Sequence, residues 1–108
     1  MKKHVLFICS RNKLRSPTAE AIFSGHPTIE VDSAGLSSDA EVPLALEQIE
    51  WADLILVMEK IHRSRLNQKF GSSLSKKRIA VLDIPDNYGY MDPELIRLLQ
   101  SRCAPYFP

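Results

Sequence analysis

Apolar residues are concentrated in four short segments of the chain, residues 4–8, 28–35, 53–58 and 78–84. Continuous runs such as HVLFI and DLILVM are typical of parallel strands that are buried on both faces. A longer and more polar segment follows each of the four. The pattern therefore predicts strands that alternate with helices, the helices lying over residues 16–25, 43–52, 59–70 and 93–104.

Prolines and a small polar residue mark the starts of the predicted helices. Pro17, Pro43 and Pro93 fall in first turns, where the missing proline N–H costs no hydrogen bond, and Ser16 is placed to cap the first helix. The alternation predicts an α/β fold: a single small doubly wound domain over residues 1–108, with a four-stranded parallel sheet and helices on both faces. In such sheets, ligands bind where strands end and helices begin.

Composition and charge argue against several classes of protein. The chain has 108 residues, of which 44% are hydrophobic and 25% charged, as is usual for globular proteins. A formal net charge of +1 gives no indication of a nucleic-acid or membrane partner. The apolar run near the N-terminus is too short for a secretory signal or a membrane span. We therefore expect a cytoplasmic monomer with neither of these partners.

The two cysteines, Cys9 and Cys103, lie far apart in the sequence. In a reducing compartment they are not expected to form a disulfide, and two thiols without a histidine or cysteine cluster do not make a metal site. We expect no metal and no cofactor. Cys103 falls in the last predicted helix, where an inert buried thiol is expected.

Cys9 ends the first predicted strand, and Arg15 follows six positions later at the mouth of a helix. A loop between strand and helix presents backbone N–H groups and the positive end of a helix dipole, which suit a tetrahedral oxyanion such as phosphate. Arg15 adds a fork for two phosphate oxygens. The same field favours a Cys9 thiolate, to which the Ser16 hydroxyl can donate. Either residue alone has a structural explanation, but together they indicate a nucleophilic phosphate site.

The segment VLFICSRNKLRSPTAEAIF resembles the phosphate-binding signature of the low-molecular-weight protein tyrosine phosphatases. The later segments VDSAG and ADLILVMEKIHRSRL are similar to further parts of that family. The resemblance implies a nucleophile at Cys9, a phosphate clamp at Arg15 and a thiolate-stabilising hydroxyl at Ser16. It also implies that Asn12 holds the loop through side-chain hydrogen bonds and that Ser33 braces it, although Ser33 fits an ordinary strand-end position equally well.

The chemistry also needs an acid that protonates the leaving oxygen. The family places an aspartate for this purpose in an Asp-Pro-Tyr-Tyr setting, whereas this chain offers LDIPDNYGYMDPEL with Asp83, Asp86 and Asp92. Asp92 resembles a helix N-cap. We expect Asp86 to be the acid, with Asp83 as the second choice. Tyr88 and Tyr90 are expected to form an aromatic wall beside it.

The loop interior carries two cations besides the clamp, Arg11 and Lys13. They are either solvated charges or contacts for further anionic groups on the substrate. The short segment LSSDAEV after Gly35 predicts a shallow and open site. His62, on a polar helix, is expected to be exposed.

The sequence thus predicts a cysteine-dependent phosphatase that acts on phosphate monoesters through a phosphocysteine. Phosphotyrosine on a protein is the substrate that the resemblance implies, and a multiply phosphorylated small molecule such as an inositol phosphate is the other expectation. A thiol-dependent arsenate reductase and a non-catalytic phosphate- or phosphopeptide-binding module remain alternatives. The catalytic residues are Cys9, Arg15 and Asp86. The substrate-binding residues are those of the loop, namely Ser10, Arg11, Asn12, Lys13, Leu14 and Ser16.

Overall fold

The computed structural model describes residues 2–107. Over these residues the chain forms four strands, four α-helices and two short 3-10 helices. In chain order the main elements are β1 (Lys3–Cys9), α1 (Arg15–Phe23), β2 (Ile29–Gly35), α2 (Leu46–Trp51), β3 (Leu54–Val57), α3 (Lys60–Phe70), β4 (Arg78–Val81) and α4 (Pro93–Cys103). The 3-10 helices are Gly71–Leu74 and Ala104–Tyr106.

The four strands form one parallel sheet in the order β2-β1-β3-β4. Cys9 at the end of β1 lies opposite Gly35 at the end of β2, and Ile8 lies opposite Val57 at the end of β3. The chain moves from β1 to one side of the sheet and then returns to the other side, which makes the β1–β3 boundary a switch point. The predicted fold class, a small doubly wound α/β domain, is confirmed.

The core has two layers because consecutive side chains of a strand point to opposite faces of the sheet. Val5 and Phe7 pack on one face with residues of α1 and α4, and Leu6 and Ile8 pack on the other with residues of α2 and α3. All four side chains are fully buried. Each such burial contributes about 1.5–3 kcal/mol, so β1 is firmly held in the sheet, and with it Cys9.

Of the three prolines predicted to lie in first helical turns, Pro17 and Pro93 do so and Pro43 does not. Pro43 pairs as an isolated bridge with Gly35, and α2 begins three residues later than expected, at Leu46. The first helix already begins at Arg15, and Ser16 does not cap it because its side chain turns towards Cys9. Pro93 is the first residue of α4, as predicted.

Across residues 2–107, the structure contains no helix that is both long and apolar enough to cross a membrane.

Candidate active site

The loop between β1 and α1 lies at the carboxyl edge of the sheet, beside the switch point. Cys9 closes β1 and is 3% exposed. Asn12, in the middle of the loop, has a φ of 56°, a left-handed conformation that asparagine tolerates better than most residues. The chain can therefore turn tightly enough to enclose a small cavity above Cys9.

Three carbonyl groups at the start of this loop point away from the cavity. The N–H groups of Leu36, Ser37 and Glu41 donate to three consecutive carbonyl oxygens, the first that of Cys9, at 2.8–3.1 Å. In a trans peptide the N–H points opposite to the C=O, so the N–H groups that follow these carbonyls face the inside of the loop. The short segment after β2 therefore orients the loop for an anion.

Gly35 permits this close contact between the loop and the segment after β2. A Cβ at this position would lie 2.6 Å from the Cβ of Ala40, 2.7 Å from the carbonyl oxygen of Ser10 and 2.9 Å from the carbonyl carbon of Arg11. Any larger residue would therefore displace the loop.

The Cys9 sulfur receives two hydrogen bonds whose direction is set by a buried network. Ser33 donates its hydroxyl proton to Glu20 at 2.5 Å, so its oxygen accepts from the Asn12 amide at 2.9 Å. The same amide nitrogen donates to the Ser16 oxygen at 2.9 Å. The Ser16 proton is then directed to the Cys9 sulfur, 3.0 Å away, and the Asn12 N–H lies 3.3 Å from it. Two donors aimed at one sulfur stabilise a thiolate.

Arg15 reaches the same place from the first turn of α1. The residue is only 3% exposed. Its Nη1 donates to Glu59 at 2.5 Å and to the carbonyl oxygen of Ile84 at 2.7 Å. Its Nε lies 3.7 Å from Oδ1 of Asp86. The guanidinium is therefore held between the ends of β3 and β4, beside Cys9.

The three candidate aspartates have different surroundings. Asp86 lines the cavity with Cys9. Asp83 lies instead in a neighbouring depression with Glu59, and its carbonyl oxygen accepts from Arg102. Asp92 accepts from the N–H of Glu94 as the N-cap of α4. Only Asp86 among the three shares a cavity with the thiol.

The cavity above the loop has a volume of about 460 Å³. It is lined by Cys9, Ser10, Arg11, Lys13, Leu14, Arg15 and Asp86. The other two loop residues proposed for binding, Asn12 and Ser16, are buried behind it. Tyr88 packs against the core and Tyr90 is 57% exposed; neither lines the cavity, so the expected aromatic wall is not formed.

Known proteins resemble the chain in both sequence and structure. The family model described as low molecular weight phosphotyrosine protein phosphatase matches residues 4–45. The YwlE arginine phosphatase from Geobacillus stearothermophilus has a TM-score of 0.75 and 26% identity, covering 96% of this chain and 92% of that one. No curated protein matches significantly. The predicted resemblance to the low-molecular-weight protein tyrosine phosphatases is confirmed.

Two further solved structures share the fold. Wzb from Vibrio vulnificus, in complex with benzylphosphonate, has a TM-score of 0.76 and 23% identity over 98% of this chain and 97% of that one. The tyrosine phosphatase Wzb from Escherichia coli K30, in complex with phosphate, has a TM-score of 0.77 and 20% identity over 98% and 96%. The matching family model and the 26% identical structure are both those of phosphatases, in agreement with the predicted enzyme class.

His62 was expected to be exposed, but that expectation is wrong. The side chain is 1% exposed, accepts from the N–H of Glu59 through Nδ1 at 3.0 Å, and places Nε2 3.0 Å from the Ser10 hydroxyl. Burial, followed by the charge of Arg15, lowers the His62 pKa to about 4. The ring is therefore neutral at pH 7 and donates from Nε2 to Ser10, which ties the phosphatase-like loop to α3.

Glu59 is a site residue that the sequence analysis did not single out. It lies between β3 and α3, and it contacts Arg15 although the two are 44 positions apart. One signal was present in the sequence: the carboxyl ends of neighbouring parallel strands meet at the same edge of a sheet. Polar residues directly after the third strand therefore belong near a loop that follows the first.

Proposed function

We propose that the protein hydrolyses phosphate monoesters through a phosphocysteine formed on Cys9. The observation that carries the proposal is a single cavity lined by a thiol that accepts two hydrogen bonds, a buried guanidinium and a carboxyl group, on Cys9, Arg15 and Asp86. These are the nucleophile, the clamp and the acid that displacement at phosphorus requires.

In the first step the Cys9 thiolate attacks phosphorus in line, the S–P bond forms and the P–O bond to the leaving group breaks. Asp86 gives its proton to the leaving oxygen, so the alcohol or phenol departs neutral. The inward N–H groups of the loop and the Arg15 guanidinium stabilise the charge on the three equatorial oxygens. The hydroxyl of Ser16 donates a hydrogen bond to the Cys9 sulfur before and after the transfer.

In the second step a water molecule attacks phosphorus while the Asp86 carboxylate takes one of its protons. The S–P bond breaks, inorganic phosphate forms and Cys9 returns as a thiolate that again accepts from Ser16 and from the Asn12 N–H. Asp86 ends protonated, as it began.

The cavity favours a phosphate ester with further negative charge near the scissile group. Arg11 and Lys13 line the rim and are exposed. The segment after Gly35 is used to hold the loop carbonyls rather than to overhang the cavity. A phosphotyrosine in an acidic protein segment fits such an open basic rim, as does a small molecule with several phosphates.

Hydrolysis of p-nitrophenyl phosphate by the wild-type protein and by Cys9→Ser tests the nucleophile. Cys9→Ser should lose turnover and still bind phosphate, and turnover should persist in EDTA because no metal takes part. Retained hydrolysis by Cys9→Ser would refute the assignment. A screen of phosphotyrosyl peptides against inositol, sugar and nucleotide phosphates then identifies the substrate class.

Asp86→Asn, with Asp83→Asn as its matched control, tests the acid. The Asp86 variant should hydrolyse p-nitrophenyl phosphate somewhat more slowly than wild type does. Its hydrolysis of alkyl phosphates, which have poor leaving groups, should be slowed much more. The Asp83 variant should behave as wild type for both substrates. If Asp83→Asn, and not Asp86→Asn, selectively slows the hydrolysis of alkyl phosphates, then Asp83 is the acid.

The two alternative functions receive less support from the structure. Arsenate reduction needs a second reactive thiol, but Cys103 is fully buried in α4 and its burial raises the pKa to about 12. A binding module would not need an acid beside the thiol, where Asp86 lies. Thioredoxin-coupled arsenate reduction, or vanadate binding without any hydrolysis, would favour these functions instead. We further propose that the protein is a monomer, that it acts in the cytoplasm and that it needs no cofactor. Sedimentation of the purified protein tests its oligomeric state.

A further inference from the structure

We propose that Glu59 is a positioning residue that turns the substrate-binding edge of Arg15 towards the cavity. The inference rests on the proposed phosphatase function, because it concerns how the clamp of that reaction is held. Glu59 acts through Arg15 and is not assigned a contact with the substrate.

The argument starts from the donors of the guanidinium group. Arginine has one N–H on Nε and two on each terminal nitrogen. In this protein the two donors of Nη1 are both engaged, one by Glu59 and the other by the carbonyl oxygen of Ile84. The edge formed by Nε and Nη2 is thereby left for a phosphate, which it can bind with two parallel hydrogen bonds.

Glu59 is itself fixed in a way that suits this role. It follows the fully buried residue Met58, which comes directly after β3, and its N–H donates to the buried ring of His62 at 3.0 Å. The side chain lies between Arg15 and solvent, with 37% of its surface exposed. A carboxylate anchored on one element thus holds a guanidinium that comes from another.

Without Glu59 the guanidinium has a competing orientation. The carboxylate of Asp86 already lies 3.7 Å from Nε of Arg15. If Nη1 lost Glu59 as an acceptor, the guanidinium would be free to turn and to bring Nε into closer contact with the carboxyl group of Asp86, because the two groups are already near each other. That rotation would use the edge meant for phosphate and would also engage the proposed acid. Glu59 therefore limits the ion pair between the clamp and the proposed acid.

Three substitutions separate orientation from charge. Glu59→Gln keeps an oxygen acceptor at the same reach and removes the charge. Glu59→Asp keeps the charge but withdraws it by one methylene, and Glu59→Ala removes both. Glu50→Gln and Glu50→Ala are matched controls, because Glu50 is exposed on α2. Each variant is assayed for kcat/KM with p-nitrophenyl phosphate, for inhibition by vanadate, and for thermal unfolding.

We expect Glu59→Ala and Glu59→Asp to lower kcat/KM by about tenfold to hundredfold, the size expected when a binding group is misplaced by about 1 Å. Both should weaken vanadate inhibition, which reports the phosphate-binding edge directly. Glu59→Gln should retain most of the wild-type kcat/KM and vanadate inhibition. The Glu50 variants should match wild type.

Two outcomes would overturn the inference. If Glu59→Asp keeps the wild-type kcat/KM while Glu59→Gln loses it, the charge of Glu59 matters and its effect on the orientation of Arg15 does not. If all folded variants equal wild type, Glu59 has no part in holding the clamp. If Glu59→Ala does not fold, the kcat/KM values of Glu59→Asp and Glu59→Gln still test the inference. An inactive wild-type protein would instead refute the proposed phosphatase, so the two failures are distinguishable.

Discussion

The buried imidazole of His62 should make the protein lose stability as the pH falls below neutral. Its pKa is about 4 in the folded protein, whereas an unfolded histidine titrates near 6.5. Between these two values the unfolded chain binds a proton that the folded protein does not. Stability therefore rises with pH through this window, is complete above pH 6.5 and is lost as the pH falls towards 4.

The magnitude follows from these two pKa values. Going from pH 7.5 to pH 5, the unfolded ring becomes almost fully protonated while the folded ring stays almost fully neutral. The linkage relation gives a loss of about 2 kcal/mol from this one group. The cause is the burial of the ring, followed by the positive charge of Arg15, against a smaller opposing effect of Glu59.

Urea unfolding at pH 7.5 and pH 5, for wild type and His62→Gln, measures this loss. Glutamine can still accept from the Glu59 N–H and donate to Ser10, but it does not titrate. The loss of unfolding free energy between the two pH values should therefore be about 2 kcal/mol smaller in the variant than in wild type. All other groups are common to both proteins and cancel in this comparison.

An equal pH dependence in the two proteins would refute the reasoning. NMR titration of the His62 ring gives an independent check, since its resonances should not shift until the pH is well below 5. A ring that titrates near 6.5 would mean that the contacts to Glu59 and Ser10 do not keep it neutral.

The remaining predictions concern the loop and the second thiol. Gly35→Ala should destabilise the protein by about 1–3 kcal/mol through overpacking and should lower kcat/KM by moving the loop. Gly89→Ala is its control, because a Cβ at Gly89 has no atom within 4 Å; equal effects of the two in urea unfolding and p-nitrophenyl phosphate assays would contradict the prediction. Cys103→Ala should keep full hydrolysis, and iodoacetamide should label Cys9 but not Cys103 in the folded protein at pH 7, with vanadate protecting Cys9. Rapid labelling of Cys103 detected by mass spectrometry would show that it is accessible.

Much of the fold and part of the site could be predicted because the signals are local. The run HVLFIC and the following proline predict a buried strand and a helix, and they place Cys9 and Arg15 at the two ends of one short loop. The parallel sheet could be predicted because each apolar segment is followed by a helical one, and this alternation can be seen along the chain. The cap at Asp92 was also visible, because a cap involves residues within one turn.

Other features could not be found in this way. Pro43 resembles a helix start, but its pairing with Gly35 at the end of β2 prevailed over that local preference. His62 lies in a polar segment and would be expected at the surface, yet it packs against Ser10, 52 positions away in the sequence. The sequence favoured Asp86 among the three aspartates, but its place in the cavity depends on how the chain leaves β4, where Asp83 adopts a φ of 61°.

The sequence by itself determined the strand–helix order and the pairing of a thiol with an arginine across one loop, since both follow from hydrophobic periodicity and from neighbours along the chain. Only the tertiary structure decided the surroundings of that pair, namely Glu59 against Arg15, His62 against Ser10 and Asp86 in the cavity. The reason is physical. These contacts join residues from different strand ends, and they form only once burial of the sheet on both faces brings those ends to one edge.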